Sequence, residues 1–254
     1  MHPALTLARY TLLEARRGGL PWLALACIAA ALGLAAFLSR VAITESLQLQ
    51  AALVAAALRA SAVFLVAVHV ITSVVRDAAD KGFELVLSLP VSRRALYAGR
   101  LAGYAASGAL VASVFALPLL VWAPSGAVFA WWLSLAFETT LVASLSLFFV
   151  FTLANVVPAL AAVAGFYLLA RSIAAFQAIA AGPAADEGLF GTLARWGVDG
   201  VALLLPRLDA VTRTDWLLYG APDAAALSAA LGSLALYGAL ACVAGLVDFH
   251  RRNL

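Results

Sequence analysis

Six stretches of this chain, 21–39, 51–75, 101–122, 128–153, 156–175 and 225–247, each run for at least 19 residues with at most one Asp, Glu, Lys or Arg. A helix rising 1.5 Å per residue needs about 20 mostly apolar residues to cross the roughly 30 Å hydrocarbon layer of a bilayer. The runs are continuous rather than alternating, so they read as helices and not as barrel strands, whose side chains face lipid and lumen in turn. Composition excludes a soluble reading. Of the 254 residues, 65% are hydrophobic and only 11% are charged, against roughly 25% charged in soluble domains. A water-facing surface of that size would lack the polar groups to cover it. The sequence therefore predicts an all-α, polytopic membrane protein with about six transmembrane helices in a single domain over 1–254.

The first run follows Arg16-Arg17 and contains small residues, as a cleaved leader does. It is long enough to span and the rest of the chain is equally apolar, so it is read as the first span. Cys27 and Cys242 both lie inside apolar runs and read as packing residues rather than a disulfide or a lipid-attachment site. In residues 3–17, Leu5, Ala8, Leu12 and Ala15 recur at helical spacing beside Arg9 and Arg16. Two readings stay open there: a helix along the membrane interface, or a plain basic lead-in.

Six spans put both termini on one side. That side receives Arg9, Arg16, Arg17, Arg76, Lys81, Arg93, Arg94, Arg100, Arg251 and Arg252, while the other receives Arg40, Arg171, Arg195, Arg207 and Arg213. The excess of Lys and Arg in the short loops places both termini in the cytoplasm. The basic residues form no face apart from the spans, so nucleic acid is not an expected partner. The long outer loop between the fifth and sixth spans is broken by Gly, Pro and Asp. It reads as one or two short helices at the interface, anchored by Trp196, Trp216 and Tyr219.

The most informative segment joins the second and third spans and reads RDAADKGFELVLSLPVSRRALYAGR from Arg76 to Arg100. Its charged front leads into the apolar Leu85–Leu89 and a stop at Pro90. Ser92 then caps a new helix that begins Arg93-Arg94. A short amphipathic helix beside the membrane can lie in the interface or fill a groove on a soluble partner.

The run Gly82, Glu84, Leu85, Leu87, Ser88, Leu89, Pro90, Val91, Ser92 and Arg93 resembles the first cytoplasmic loop of ABC-2-type transporter permeases. The six-span layout, the basic lead-in and the closing Phe249-His-Arg-Arg252 are also similar to that family. Asp77 and Asp80 stand where Glu is commoner, and Arg100 where Lys is frequent. Two outer stretches, Leu203–Ala210 and Asp215–Gly220, resemble a subset of these permeases associated with maturation of multicopper enzymes. The resemblance implies a half-transporter of a bacterial-type inner membrane. It would act as a homodimer with a separate ATPase subunit and move an unidentified substrate, by analogy outward. Asp77, Asp80, Lys81, Gly82, Glu84, Leu85, Leu87, Leu89, Pro90 and Arg93 would be the coupling element that meets the ATPase. The chain's only lysine is Lys81, and no G-x-x-x-x-G-K-[ST] loop occurs, so ATP hydrolysis is expected in the partner and no enzyme activity here.

Three polar side chains inside spans are candidate path residues: Glu138, Arg59 and His69. An ionisable group at that depth is costly and often functional. Glu138 reads either as lining a substrate path or as a buried carboxyl bonded to a neighbouring helix, with Arg59 as one partner. Arg59 can alternatively snorkel outward. His69 reads first as packing. No metal-ligand spacing appears, so neither metal nor cofactor is expected. Gly99-x-x-x-Gly103 with Ser107 marks close helix approach, read as packing within the chain before a seam between copies. Two further readings remain open. One is a membrane scaffold or maturation factor that anchors a soluble partner; the other is an ion-coupled secondary transporter using Glu138, although the paired broken helices usual for such carriers are missing.

Overall fold

The computed structural model describes residues 3–41, 46–80, 92–182, 188–211 and 214–251. Every regular element among them is a helix: α1 Pro3–Arg17, α2 Leu20–Val41, α3 Ser46–Ala79, α4 Arg93–Leu119, α5 Ser125–Leu153, α6 Val156–Ala180, α7 Leu189–Leu204, α8 Leu208–Val211, α9 Asp215–Tyr219 and α10 Ala224–Arg251. Six of these, α2 to α6 and α10, are long and apolar enough to cross a membrane. The chain is a multi-pass helical membrane protein.

Five of the six apolar runs fall inside these helices. The third does not: α4 starts at Arg93, eight residues before the run at 101–122, and stops at Leu119. Two local causes account for the shift. Ser92, in extended conformation, accepts a hydrogen bond from Ala95 N at 3.2 Å, which caps the helix ahead of its apolar part. At the other end Pro118 sits in the last turn. Beyond it, Leu120 N donates to Leu117 O, Val121 N to Pro118 O and Trp122 N to Leu119 O. This tighter i to i+3 winding closes the helix. Pro118 therefore marks a terminus, not a mid-span kink.

α5 is the axis of the bundle. Helices α3, α4, α6, α9 and α10 all pack against it, and Trp131, Leu135, Leu141, Val142 and Leu147 are buried on successive sides of it. A helix that is apolar all round belongs in such a place. Its Ser134, Thr139, Thr140 and Ser144 return their hydroxyl hydrogens to backbone carbonyls one turn back, and of the four Ser134 also accepts a hydrogen bond from Arg59 of α3. Their small size lets other helices come near. An added Cβ at Gly108 of α4 would lie 2.7 Å from Thr139 Oγ1.

Residues 3–17, for which two readings stood open, are helical. This helix, α1, lies along the first half of α4. Gly99 and Gly103 supply the contact surface. A Cβ at Gly99 would meet Ala4 O at 2.7 Å, and one at Gly103 would meet Thr11 Cβ at 2.6 Å. These glycines thus serve packing within the chain. Ala15 and Thr11 are buried there, while Leu5 and Leu13 stay exposed. Gly19, at φ +79°, makes the joint between α1 and α2, a conformation with little cost for glycine alone.

At the end of the bundle away from the termini, α7 packs on α6, and α9 packs on α3 and α5. Arg195 donates to Ala180 O at 2.6 Å and Gln177 to Asp199 Oδ1 at 2.9 Å, which fastens α7 to the end of α6. Of the three aromatic anchors expected in this stretch, Trp196 and Tyr219 are exposed. Trp216 is not: it is buried with Leu217 against the bundle. The amphipathic pair Trp216-Leu217 closes the end of the core, because the short α9 turns its apolar side onto α3 and α5.

Substituting Gly103 by leucine forces a side chain into α1. Overpacking of this kind costs about 1–3 kcal/mol, so G103L should lower the unfolding midpoint in detergent. G232L, where an added Cβ meets nothing within 4 Å, should leave it nearly unchanged.

Candidate functional site

Two polar centres interrupt the apolar interior. The first lies halfway along α5. Glu138 is about 20 Å from Ser125 and about 22 Å from Leu153 at 1.5 Å per residue, and it is fully buried. Arg59 of α3 faces it, also buried, with Nη1 2.5 Å from Glu138 Oε2. Arg59 Nη2 donates to Ser134 Oγ at 3.0 Å, and Tyr167 OH of α6 donates to Glu138 Oε1 at 2.7 Å. The guanidinium lies 5.0 Å from the centre of the Trp131 ring, close enough for cation–π attraction. Both carboxylate oxygens thus have donors, and the pair ties three helices together at mid-depth. Arg59 does not snorkel; its carbon stem leads inward to the carboxylate. An unpaired ion here would lose its hydration with nothing in return, whereas the pair holds two opposite charges in mutual contact.

The second centre lies at the end of the bundle that carries the termini. Arg76 pairs with Glu14 of α1, and Ser73 Oγ donates to Glu14 Oε1 at 2.9 Å. Tyr104 OH of α4 donates to Ser73 Oγ at 2.9 Å, and Arg100 Nη1 approaches Tyr104 OH at 3.5 Å. Arg100 also pairs with Asp77. The result is a continuous polar chain from α1 through α3 to α4. His69 stands edge-on to Tyr104 with ring centroids 5.7 Å apart. It is thus a packing neighbour of this second centre, ten residues along α3 from Arg59, or about 15 Å.

Of the candidate coupling residues, Asp77 is in the last turn of α3 and is held by Arg100. Asp80 follows the helix, its backbone N bonded to Arg76 O at 2.9 Å. Arg93 opens α4, and its Nη1 donates to Phe249 O at 3.5 Å and His250 O at 3.4 Å. Lys81, Gly82, Glu84, Leu85, Leu87, Leu89 and Pro90 lie outside the described residues. The described ends of this segment are therefore anchored on both sides: α3 to α4 by Asp77–Arg100, and α4 to α10 by Arg93.

Sequence reasoning brought Arg59 and Glu138 together but did not find Tyr167, Ser134 or Glu14. A lone tyrosine or serine in a span carries no signal until the facing helix is known. Glu14 had one: it is the single acid in a lead-in that otherwise carries only basic charge.

Removing one member of the buried pair should destabilise more than removing both. Glu138→Leu strands the Arg59 charge, a loss of about 3–5 kcal/mol. Adding Arg59→Met should recover part of it, and a double-mutant cycle read by denaturant unfolding in detergent checks the coupling. No protein-family model matches this chain, and no curated protein does.

Proposed function

We propose that the chain is the membrane-spanning subunit of an ABC-2-type transporter, working as a pair with a separate ATPase bound on the cytoplasmic side. The observation that carries this reading is the Gly82–Arg93 sequence placed between the second and third membrane helices, where such permeases meet their ATPase. Closure of the ATPase on ATP would displace this segment, and the attached helices would rock as rigid bodies.

The anchoring of the segment's two ends supports the reading. A push delivered there reaches α3 and α4 together through Asp77–Arg100, reaches α1 through Arg76–Glu14, and reaches α10 through Arg93. In this scheme Glu138 and Arg59 hold α3, α5 and α6 together during the movement. The secondary-transporter alternative asks Glu138 to exchange protons with water. Its burial and three-helix bonding argue for the structural role.

The test is co-purification of tagged chain in mild detergent, followed by ATPase assay. An ATPase should come down with wild type. Glu84→Arg and Leu87→Asp should release it and reduce ATP turnover at least tenfold (about 1.4 kcal/mol). Loss of the complex in both variants with an unchanged melting temperature supports the coupling role. Absence of any ATPase from wild type, under conditions that preserve a known transporter complex, removes the proposal.

A further inference from the structure

A concave basic pocket opens where α4 begins and α10 ends. It is lined by Arg94 of α4 and by Leu246, Val247, His250 and Arg251 of α10, and its volume is about 410 Å³. Arg94 and Arg251 are exposed, and neither pairs with a carboxylate among the described residues. The nearest acid in sequence, Asp248, is turned away and accepts a hydrogen bond from Thr152 of α5 at 2.6 Å. His250 is fixed by Nδ1 donating to Leu246 O at 2.8 Å, so its ring forms a wall of the pocket. Two guanidiniums from different helices therefore converge on one opening with no anion among its lining residues.

The floor of this pocket is continuous with apolar surface. Leu236, Leu240, Val243 and Val247 are all exposed, and their spacing of four, three and four residues puts them on one stripe of α10. From Leu236 to Val247 the stripe rises about 16 Å, close to half of the roughly 30 Å hydrocarbon layer. A cationic cup at the membrane border followed by an apolar track one leaflet deep matches one chemical shape. It has an anionic head and a hydrocarbon tail. Basic pockets between membrane helices take phospholipid headgroups in this way.

We infer that the Arg94–Arg251 pocket is a binding site for an anionic phospholipid. The phosphate is held between the two guanidiniums, and an acyl chain lies along Val247, Val243, Leu240 and Leu236. Charge decides between headgroups. A zwitterionic lipid brings a cation next to two arginines, while phosphatidylglycerol brings only the phosphate charge and hydroxyls, and guanidinium–phosphate bonds are the strong, charge-assisted kind. The site does not depend on the transporter reading, because it requires only that α4 and α10 cross a bilayer.

The experiment is native mass spectrometry of the full chain in detergent, titrated with phosphatidylglycerol or with phosphatidylcholine of the same acyl chains. Wild type should retain phosphatidylglycerol about tenfold more tightly, equivalent to about 1.4 kcal/mol. The double variant Arg94→Gln/Arg251→Gln should bind the two lipids alike. Arg94→Lys/Arg251→Lys keeps the charges and should keep most of the preference, which separates loss of charge from loss of fold. A preference unchanged in the glutamine variant overturns the site. So does displacement of phosphatidylglycerol by an equal concentration of soluble glycerophosphate, which would mean that the tail contributes nothing. A third overturning result is a glutamine variant that loses dimer but retains lipid, since a second copy would then occupy this face.

Discussion

A charge at the middle of a bilayer is tolerated only with a partner, and the contact between Arg59 and Glu138 is that condition met. It sits where the apolar interior divides. Leu135 belongs to the cluster at one end of the bundle, Val142 to the cluster at the other, and Leu141 to the cluster along α6 and α10. Glu138 lies between all three. Because Arg59 reaches it from α3 and Tyr167 from α6, a rotation of any of these helices breaks a bond that no water is there to replace. Apolar packing alone tolerates sliding, since one leucine fits about as well as the next. The polar centre selects one register. Specificity is the best-attested use of such buried groups in other folds.

The chain of bonds from Glu14 to Asp77 plays a different part. It is near the membrane border and half-exposed in places, so each bond is weaker and more easily exchanged with water. It nevertheless joins helices that are distant in sequence. α1 and α3 meet through Glu14 and Arg76, and α3 and α4 through Asp77 and Arg100. The two centres divide the labour: one fixes the register at depth, while the other links the helix ends from which residues 81–91 depart.

Much of this was legible in the sequence, for a physical reason. Lipid imposes a length and an apolar composition on a spanning helix, and both are properties of a single segment. The spans, the Ser92 cap and the exclusion of a soluble fold follow from such local quantities. The pairing of Arg59 with Glu138 was legible one step further, because each is so costly at its depth that the other is its natural partner. What stayed hidden depended on how helices face one another. Trp216 reads as an interface anchor from its neighbours in sequence, and only the placement of α9 against α3 and α5 makes it core. The start of α4 at Arg93 was legible from the Ser92 cap even though Arg93, Arg94 and Arg100 interrupt the hydropathy, but its end at Leu119, three residues short of the apolar run's end at 122, was not. Tyr167 carries nothing in its own segment that points to Glu138.

The glycine bed beneath α1 bears on how the protein is made. Ala4 rests on Gly99, and Ala8 on Gly103, so each contact joins residues about 95 positions apart. At ribosomal rates of about 5–20 residues per second, the first helix waits about 5–20 s for its partner to be synthesised. During that time α2 and α3 are already made, but the glycine bed that buries most of α1's contact face is not. Its leucines and flanking arginines suit the membrane border, and that border is where a nascent helix of this pattern can rest. The amphipathic pattern in residues 3–17 therefore suits this helix both before and after Gly99 and Gly103 emerge.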